Sequence, residues 1–361
     1  MTAAALAARA KELARDEGFD LAGVARADTP PDLAFFTEWV GQGFAGEMAY
    51  LTSQVAKRSD LRAAFPWARS VVCVGLQYDT PHPYSTGAPP DRGWISRYAW
   101  GDDYHDVMKA MLERVVSRLR AEAGPFEARV YVDTGPVAEK AWAAAAGLGA
   151  WGKNGCLLNA EHGSWFFLGE IVTDLDLPAD ARRPDLCGSC TACLEACPTG
   201  ALVAPYVLDA TRCISYLTIE VKGAIPEERR AGLGPHVFGC DICQDVCPWN
   251  RRRRHRGGPA FEPRPGAAAP ELAELAALDE VAFRRRFRGS PVRRAKRRGL
   301  LRNVAVALGN GGDAGRRPVL ERLAGDADPV VREHAAWALR RLDERLEKNS
   351  RHAATPWSST R

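Results

Sequence analysis

Four cysteines stand at gaps of two, two and three residues in the stretch CGSCTACLEACPTG, and a proline follows the last of them. They are Cys187, Cys190, Cys193 and Cys197, followed by Pro198. This spacing is typical of the bacterial ferredoxin run, in which three thiolates hold one 4Fe-4S cluster and the fourth crosses to another cluster. The stretch therefore predicts that electrons pass through this protein.

A second cysteine run supplies the other half of the pattern. Cys240, Cys243 and Cys247 precede Pro248, and Cys213 stands alone between the two runs. Crossing the last cysteine of each run predicts two complete cluster sites. The two sets are Cys187, Cys190, Cys193 with Cys247, and Cys197, Cys213, Cys240 with Cys243. Paired C-x2-C units also build structural zinc sites, but the compact first run and both C-P endings favour iron–sulfur clusters.

The cellular setting follows from what surrounds these cysteines. No apolar run approaches the ~18 residues that a membrane span needs. The first predicted helix carries Glu12, Asp16 and Glu17 in place of the basic start of a signal peptide. Ten cysteines without an export signal indicate metal or redox chemistry and not disulfides. We expect a soluble cytoplasmic protein that acts as a monomer and has no membrane partner.

Charge is distributed unevenly along the chain. The net charge is +4, yet residues 251–361 hold 26 Lys and Arg against 13 Asp and Glu. The first 250 residues hold 23 basic against 32 acidic residues. Such asymmetry predicts that the last part meets a polyanion while the first part does chemistry, although a solvated basic helix face is the alternative.

The elements that must position these residues are helices and strands in mixed order. Apolar periodicity predicts helices over 3–17, 31–43, 103–123 and 136–147, and strands over 20–27, 70–78 and 128–133. A Pro/Gly-rich loop, 78–93, is of the type that lines sites. We expect an α+β fold with four consecutive parts. They are an α/β catalytic domain at 1–178, a ferredoxin-like double-cluster module at 179–255, a basic HEAT-like helical domain at 256–348 and a disordered tail at 349–361.

A weak internal repeat characterises the helical part. Residues 290–310 and 326–342 both begin near a Pro-Val pair, continue with arginines and then place apolar residues at helical spacing. This pattern is typical of a HEAT-like helical pair, in which each helix buries one face against its neighbour. Residues 251–270 form the basic, Pro/Gly-rich linker before it. Two units are too few for a free-standing solenoid, so we expect this part to pack on the rest of the protein.

Eight segments, taken in order, carry a resemblance to a known family. They are KRSDLRAAFPWARSVV at 57–72, SRYAWGDDYHDVM at 96–108, VDTGPVAEKAWAAAAGLGAWGKN at 132–154, GSWFFLGEI at 163–171, CGSCTACLEACPTGAL at 187–202, RCISYLTIE at 212–220, GCDICQDVCPWN at 239–250 and RNVAVALGN at 302–310. With these segments the chain resembles the epoxyqueuosine reductases over about residues 5–345. These enzymes carry out the last step in making queuosine at the wobble position of tRNA.

The resemblance implies a cofactor and a proton donor. A base-off cobalamin is implied beside the two 4Fe-4S clusters, with electrons supplied by an external low-potential donor. Reducing an epoxide to an alkene consumes two electrons and two protons, and a positioned acid protonates the leaving oxygen. Asp133 is the family's position for that acid. From the residues alone, an Asx turn or a cap on a helix beginning near Pro136 is the better account of Asp133, and the resemblance favours the acid instead.

The resemblance also implies the residues that surround the cofactor and the substrate. The positions carried over to cobalamin are Arg58, Ser96, Asp133, Lys153, Asn154, Leu157, Asn159, Leu168, Ser215 and Lys222. Tyr104 and His105 are expected near the substrate, whereas Asp102 and Asp103 are predicted to open the helix that follows.

The basic helical part is then expected to bind the tRNA anticodon arm through its phosphates. The leading positions for this contact are Arg293, Arg294, Lys296, Arg297, Arg298 and Arg302. A modified base must leave the stack to reach a buried cofactor, so the site must open to a nucleotide on one side.

Two other functions remain as alternatives. A cobalamin-dependent reductive dehalogenase of small organics shares the cofactor set, but such enzymes carry an export signal and have no basic helical domain. An iron–sulfur RNA-binding or scaffold protein would keep the cysteines and the basic part, bind no cobalamin and reduce nothing.

Overall fold

The structure is a computed structural model that describes residues 1–87, 89, 91–251 and 257–353, and it divides into two units. The first unit comprises Met1–Pro81, Gly101–Thr211 and Ile242–Glu262, and the second comprises His82–Trp100, Arg212–Asp241 and Pro263–Arg361. The units interleave along the chain, whereas the predicted boundaries divide it into consecutive segments. Residues 252–256 of the predicted linker and 354–361 of the predicted tail lie outside the described residues.

The described residues include seventeen α-helices and ten strands. The helices are α1 Ala3–Asp16, α2 Asp32–Gly41, α3 Ala49–Thr52, α4 Val55–Ser59, α5 Leu61–Ala64, α6 Tyr104–Ala123, α7 Glu139–Ala145, α8 Ala192–Ala196, α9 Ile214–Ile219, α10 Glu227–Arg230, α11 Ile242–Asp245, α12 Pro248–Arg251, α13 Leu272–Ala276, α14 Glu280–Arg286, α15 Lys296–Gly311, α16 Arg317–Ala324 and α17 Pro329–Ala353. The strands are β1 Leu21–Arg26, β2 Ser70–Gln77, β3 Trp94–Ile95, β4 Ala128–Tyr131, β5 Ala150–Trp151, β6 Leu157–Leu158, β7 Phe166–Thr173, β8 Leu202–Ala204, β9 Val207–Leu208 and β10 His236–Phe238.

A four-stranded sheet is the framework of the first unit. Its order is β1-β2-β7-β4, and every neighbouring pair is antiparallel. The mixed fold agrees with the expected α+β class, and the antiparallel pairing distinguishes it from a parallel α/β sheet. Strand β7 was not predicted, because its apolar residues do not alternate and its burial is nearly continuous. It joins β2 to β4 and so completes the sheet.

Helix α7 covers one face of this sheet. The cross-strand row beneath it runs through Gly23, Cys73, Glu170 and Tyr131, which are successive partners across the four strands. A side chain at Gly23 would begin 2.1 Å from the carbonyl oxygen of Ala146, so only glycine lets the end of α7 approach the strand. The row therefore lies in the core directly under α7, and it includes a carboxyl group.

Helix α6 covers the opposite face. Its buried stripe includes Met108 and Leu112, both of which lie next to the backbone of Gly169 in β7. Asp103 caps the helix by accepting a hydrogen bond from the His105 N–H at 3.1 Å, which confirms its predicted role at the helix start. This cap fixes where the first turn of α6 points.

The second unit is built mainly from helices. Helices α15 and α17 contain the two repeat segments and pack against each other, and α16 packs on α17. Helix α15 is buried from Gly299 to Gly309 without interruption, so it is a core helix and not an amphipathic surface helix. Helix α17 continues to Ala353, into the segment predicted to be disordered. Within the described part of the chain, no helix has both the length and the apolar composition needed to cross a membrane.

Candidate active site

The loop that follows β4 presents Asp133. Asp133 has a φ of +57°, which is unusual for a residue with a side chain, and its own side chain is 45% exposed. The loop turns sharply because Gly135 lies against the ring of Tyr131, where a Cβ atom would come within 2.3 Å of the ring. The Asp133 N–H donates a hydrogen bond to Oε1 of Glu139. Helix α7 begins at Glu139 with no side-chain cap, so Asp133 does not cap this helix.

A histidine holds the Asp133 carboxylate from the other side. His105 Nε2 lies 3.3 Å from Asp133 Oδ2, and its Nδ1 lies 2.6 Å from Asp103 Oδ1. Burial alone would lower the pKa of His105, but its hydrogen bonds to Asp103 and Asp133 outweigh burial and raise the pKa to about 9. The imidazole is therefore protonated at neutral pH and lies between two carboxylates. Tyr104 stacks on Phe167, with ring centroids 4.2 Å apart, so the first turn of α6, which carries His105, packs on β7.

Asp133 opens into a cavity of about 520 Å³ in the first unit. One wall is aromatic and apolar, whereas the wall near α7 carries the charged groups. The aromatic wall is formed by Phe35, Phe36, Trp39, Tyr50 and Trp151. Phe35 and Tyr50 are 45% and 41% exposed, although large apolar side chains are normally buried. A cavity with an exposed aromatic wall and a few convergent charges is typical of a binding site for a large, partly apolar molecule.

The charged wall contains Arg58, Asp133, Glu139 and Lys140. Arg58 is only 9% exposed and donates from Nη1 to the Val137 carbonyl at 3.0 Å, while its buried Nε has no hydrogen-bond partner within the described residues. Burial lowers the pKa of Arg58, and the nearby Glu139 and Asp133 oppose that shift. Burial raises the pKa of Glu139 to about 8, with the Asp133 carboxylate adding to the shift. This wall thus holds one donor without a partner among the described residues and one carboxyl that is neutral at pH 7.

Sequence reasoning missed most of the cavity lining. Glu139 and the aromatic residues of α2 were not singled out, although Glu139 lies in the resemblance segment 132–154. The available signal was the density of aromatic residues in DLAFFTEWVG, at positions 32–41, where Phe35, Phe36 and Trp39 exceed what one buried helix face needs. Glu139 gave no signal of its own, since an acid in the first turn of a helix is ordinary.

The first predicted cysteine set converges on a second, smaller cavity. Cys187, Cys190, Cys193 and Cys247 all line this cavity of about 190 Å³, together with Leu186, Pro248 and Trp249. The crossed partner Cys247 therefore lies with the first run, in the same unit. The four thiols match the number of ligands that one 4Fe-4S cluster requires, and Lys153 and Asn154 complete the polar part of the lining. Of the other set, Cys197 and Cys243 belong to the first unit, and Cys213 and Cys240 to the second.

Lys153 and Asn154 lie against these cysteines and are absent from the described lining of the Asp133 cavity. The Lys153 N–H points to Cys187 Sγ at 3.3 Å, and its Nζ donates to the carbonyls of Gly188 and Cys190 at 2.6 and 2.9 Å. Asn154 Nδ2 donates to the Cys243 carbonyl at 3.3 Å. The structure thus brings both residues to the cysteine loops.

Three further residues predicted to contact cobalamin have structural roles in the first unit. Leu157 is 3% exposed and belongs to the core under α7, and Leu168 packs against the same core. Asn159 Nδ2 donates to the Leu148 carbonyl at 2.7 Å, and its Oδ1 accepts from the backbone N–H groups of 161 and 162. Among the predicted cofactor residues of this unit, Arg58 and Asp133 are the ones in the described cavity lining.

Ser96, Ser215 and Lys222 belong to the second unit. Ser96 is buried and donates from Oγ to Asp241 Oδ1 at 2.5 Å. Lys222 is exposed, and its Nζ donates to the Ile219 carbonyl at 3.0 Å. Desolvation lowers the pKa of Lys222, and the neighbouring cations Arg294 and Lys296 lower it further while Glu220 opposes them. Lys222 is therefore close enough to a group of basic side chains for their positive charge to lower its pKa.

A concave basic surface lies at α14 and the start of α15, with a volume of about 510 Å³. Its members, called the basic surface below, are Glu280, Phe283, Arg284, Arg293, Lys296, Arg297, Arg298 and Asp328. Arg297 and Arg298 form ion pairs with Asp326 and Asp328 at 2.6 and 2.5 Å. Arg294 lies nearby and pairs with Glu220 at 2.9 Å.

The predicted tRNA contact of Arg302 is wrong. Arg302 is fully buried in α15, and its guanidinium donates to the carbonyls of Leu217, Val221 and Gly223 and to the side chain of Asn303. A side chain enclosed in this way cannot meet a phosphate. It joins α15 to the segment 217–223 of the same unit.

Two family models match the chain. Residues 58–134 match the model described as "Epoxyqueuosine reductase QueG, DUF1730", and residues 186–250 match the "4Fe-4S double cluster binding domain". The second match contains all eight predicted cluster cysteines.

Curated relatives and solved structures match over most of the chain. The epoxyqueuosine reductase of Pseudomonas aeruginosa is 46% identical over 348 residues, which covers 94% of this chain and 96% of that protein. The epoxyqueuosine reductase of Escherichia coli is 39% identical over 343 residues, covering 94% and 90%. A crystal structure of epoxyqueuosine reductase with an epoxyqueuosine-modified tRNA-Tyr stem loop aligns with a TM-score of 0.84 at 34% identity, covering 95% of this chain and 93% of that chain. The Bacillus subtilis epoxyqueuosine reductase aligns with a TM-score of 0.83 at 32% identity, covering 98% and 95%, and in that structure a catalytic aspartate loop is swung out of the active site.

Proposed function

This chain belongs to the epoxyqueuosine reductase family and reduces epoxyqueuosine in tRNA, and we propose that the Asp133 cavity is where it does so. The observation that carries this proposal is the combination of a positive-φ aspartate, a protonated histidine 3.3 Å from its carboxylate and an aromatic cavity in front of it. The reaction is the last step of queuosine biosynthesis and acts on the wobble nucleoside.

The chain's own residues supply the proton chemistry. Opening the epoxide breaks a C–O bond and leaves charge on an oxygen that departs poorly as an alkoxide, so an acid must protonate it. Asp133 is that acid, and His105 holds one proton between itself and the Asp133 carboxylate. Asp103 on the far nitrogen keeps the His105 ring oriented, because a partner on one ring nitrogen fixes what the other can do. A well-positioned acid contributes about 10²–10⁴ in rate.

Cobalamin fits the cavity by chemistry. A corrin has an extensive apolar edge and a rim of amide side chains. The cavity offers an aromatic wall to the first and the donors Arg58 and Lys140 to the second. Arg58 Nε is a buried donor without a described partner, and an amide carbonyl of the corrin would satisfy it. Phe35, Phe36 and Tyr50 would cover the ring edge. A bound base-off cobalamin would supply the strongly reducing centre that transfers electrons to the epoxide carbon.

Electrons reach the cavity through the two clusters from an external low-potential donor. Cys187, Cys190, Cys193 and Cys247 hold the first cluster, supported by their shared cavity. The second cluster is assigned to Cys197, Cys213, Cys240 and Cys243, supported by the spacing and by the double-cluster model over 186–250. The match to this model disfavours the zinc alternative.

The tRNA contacts are assigned to exposed cations of the basic surface. Within the described residues neither Arg293 nor Lys296 has an acidic partner at ion-pair distance, so both can neutralise phosphates without first breaking a pair. Arg294, Arg297 and Arg298 must exchange their carboxylate partners for phosphates. Lys222 extends the same positive region. The cytoplasmic location and monomeric state stay predictions.

The two rival functions fail on different grounds. A reductive dehalogenase does not account for relatives at 39–46% identity that are epoxyqueuosine reductases along nearly their whole length. A scaffold does not need a buried carboxyl wall or an arginine donor without a partner, because both cost stability when nothing is bound. Reduction of a tRNA nucleoside uses the clusters, the cavity and the basic surface together.

Nucleoside analysis of a deletion strain tests the function. Deleting the encoding gene should make tRNA accumulate epoxyqueuosine and lose queuosine, and the intact gene should restore queuosine. Anaerobically purified protein should contain about one cobalamin and two 4Fe-4S clusters. Normal queuosine in the deletion strain would remove the assignment.

Cysteine variants provide the matched comparison. Cys187→Ser with Cys190→Ser should fail to restore queuosine, because the first cluster loses two of its four ligands. Cys156→Ser makes the same chemical change at a cysteine outside both predicted sets and should restore it. Equal restoration by both variants would contradict the cluster assignment.

A further inference from the structure

The stoichiometry of the reaction demands a second proton source close to Asp133. Two electrons enter, the first C–O bond breaks and the oxygen takes a proton to become a hydroxyl. The second C–O bond then breaks, and the same oxygen takes another proton and leaves as water. Both protons thus arrive at one atom. A single carboxyl beside that atom can deliver twice only if it is reprotonated within the turnover.

Glu139 occupies the position from which this can happen. It lines the same cavity as Asp133, stands at the first position of α7 and accepts the hydrogen bond of the Asp133 backbone N–H. This bond ties the Glu139 carboxyl to the loop that presents Asp133. Glu139 and Asp133 are two of the three carboxylates in the described lining of the cavity, and the third, Asp32, bonds to Trp151 Nε1 at 2.8 Å and to Arg182.

The groups packed around Glu139 decide its protonation state. Those that face it from the loop, the neighbouring helices and the sheet are Asp133, Arg58, Lys140, Glu170 and Cys73. Glu170 is fully buried on β7, and neither of its oxygens has a hydrogen-bond partner within the described residues. Burial raises the pKa of both Glu170 and Cys73 well above their ordinary values, which favours the uncharged form of each in the sheet beneath Glu139.

These surroundings leave Glu139 as a neutral acid at pH 7. Burial is the main reason that its pKa rises to about 8, and the Asp133 carboxylate adds to the rise. The hydrogen bond from the Asp133 N–H, Lys140 and Arg58 oppose it. The same two cations would stabilise the carboxylate that Glu139 becomes after giving up its proton. His105 is a poorer source, because losing its proton would leave Asp103 without its counter-charge.

We propose that Glu139 reprotonates Asp133 within each turnover. The O–H bond of the Glu139 carboxyl breaks, an O–H bond forms on the Asp133 carboxylate, and Asp133 passes that proton to the departing hydroxyl. Between turnovers, water entering the open cavity returns one proton to Glu139 and one to Asp133, so that both begin the next turnover as acids. This inference rests on the proposed function and deepens it, because it assigns the second of the two protons to a residue of this chain.

The pH dependence of Glu139→Gln tests the proposal. Glutamine keeps an oxygen to accept the Asp133 N–H but carries no transferable proton. In the wild-type holoenzyme, kcat on an epoxyqueuosine-containing tRNA stem loop should fall above about pH 8. In the variant, kcat should be lower by roughly 10²-fold at pH 7 with KM unchanged, and the fall near pH 8 should be absent. A remaining decline at higher pH would belong to His105.

Glu170→Gln is the matched control. It makes the same chemical change on β7, beneath α7 and outside the described cavity lining. It should keep the decline near pH 8. A Glu139→Gln enzyme with wild-type kcat and the wild-type decline would overturn the proposal, and so would a loss that is equal at every pH with the decline retained. If wild-type enzyme produces no queuosine at all, it is the proposed function that fails.

An infrared titration of the wild-type holoenzyme keeps the proposal testable should Glu139→Gln fold poorly. A protonated-carboxyl band should disappear as pH rises, with a midpoint near pH 8. The Glu170→Gln protein should show the same band and the same midpoint. A wild-type protein that shows no carboxyl titrating between pH 7 and 9 refutes Glu139 as the second acid.

Discussion

The Asp133 cavity and the basic surface hold their charged groups in opposite ways. In the cavity, burial dominates: it lowers the pKa of Arg58 and raises that of Glu139 to about 8. On the basic surface a direct ion pair outweighs burial: the hydrogen bond between Arg297 and Asp326 at 2.6 Å raises the pKa of Arg297 and lowers that of Asp326. Burial makes protonation adjustable, which acid–base chemistry needs, whereas an ion pair keeps both of its charges fixed, and phosphate binding needs fixed positive charge.

This contrast predicts that substitutions in the two regions change different measured quantities. Changes in the cavity should alter turnover and its pH dependence while leaving tRNA affinity intact. Changes on the basic surface should alter affinity and its salt dependence while leaving turnover at saturating tRNA intact.

Asp133→Asn should produce the largest effect. Asparagine keeps the size of the side chain and can stay close to His105 Nε2 but cannot donate the proton, so we expect kcat to fall by about 10²–10⁴-fold. Cobalamin content, cluster content and stem-loop affinity should stay at wild-type values. Single-turnover assays with anaerobic holoenzyme measure the first quantity, and absorption spectra with a binding titration measure the others.

Asp106→Asn is the matched control, because Asp106 is an exposed acid in the first turn of α6 that lies outside the described cavity lining. It should behave as wild type. Undiminished turnover in Asp133→Asn would remove Asp133 as the acid, and a comparable loss in both variants would point to a disturbed helix.

Arg302→Met comes next and shows why neighbouring arginines are not equivalent. Removing the guanidinium leaves three carbonyls unsatisfied inside the second unit, at a cost of about 1–3 kcal/mol for each buried group. We expect a large fall in the free energy of unfolding, measured by urea denaturation. Arg293→Met, at an exposed position six residues before α15 becomes continuously buried, should change it by less than about 0.5 kcal/mol. Similar stabilities of the two variants would contradict the buried role of Arg302.

The sequence predicts those parts of the site that depend on local spacing better than those that depend on how distant elements pack. The cluster cysteines were predictable because ligands on a short run must keep a fixed spacing to reach one cluster. Asp133 depended on the family resemblance, since its residues alone also allowed a turn or a cap. Glu139 and the aromatic wall depend on how α2 and α7 pack around β4, which no local pattern encodes. Arg302 was misassigned because it was grouped with the arginines that precede it, although it lies within the apolar segment LLRNVAVAL, at 300–308.

Removing cations from the basic surface should have a moderate effect on binding. Arg293→Gln combined with Lys296→Gln should weaken stem-loop affinity and reduce the slope of log K against log salt by about 0.7–0.9 for each lost phosphate contact. Turnover at saturating stem loop should stay unchanged. Arg322→Gln, which removes an exposed charge from α16 outside the basic surface, is the control and should keep the wild-type slope. An unchanged slope in the double variant would refute the phosphate contacts.

The smallest predicted effect is a difference in how the two regions respond to pH. The pKa of His105 is raised to about 9, so the stability it contributes is complete below its ordinary value of 6.5 and is lost as pH rises through about 9. Asp326 is the reverse case: its hydrogen bond to Arg297 lowers its pKa, so its contribution is present above 3.8 and is lost as pH falls. Thermal midpoints of the holoprotein should therefore depend less on alkaline pH in His105→Gln and less on acid pH in Asp326→Asn, by about 2 °C for each kcal/mol involved. If both variants flatten the same side of the profile, the two regions do not hold their charged groups in opposite ways.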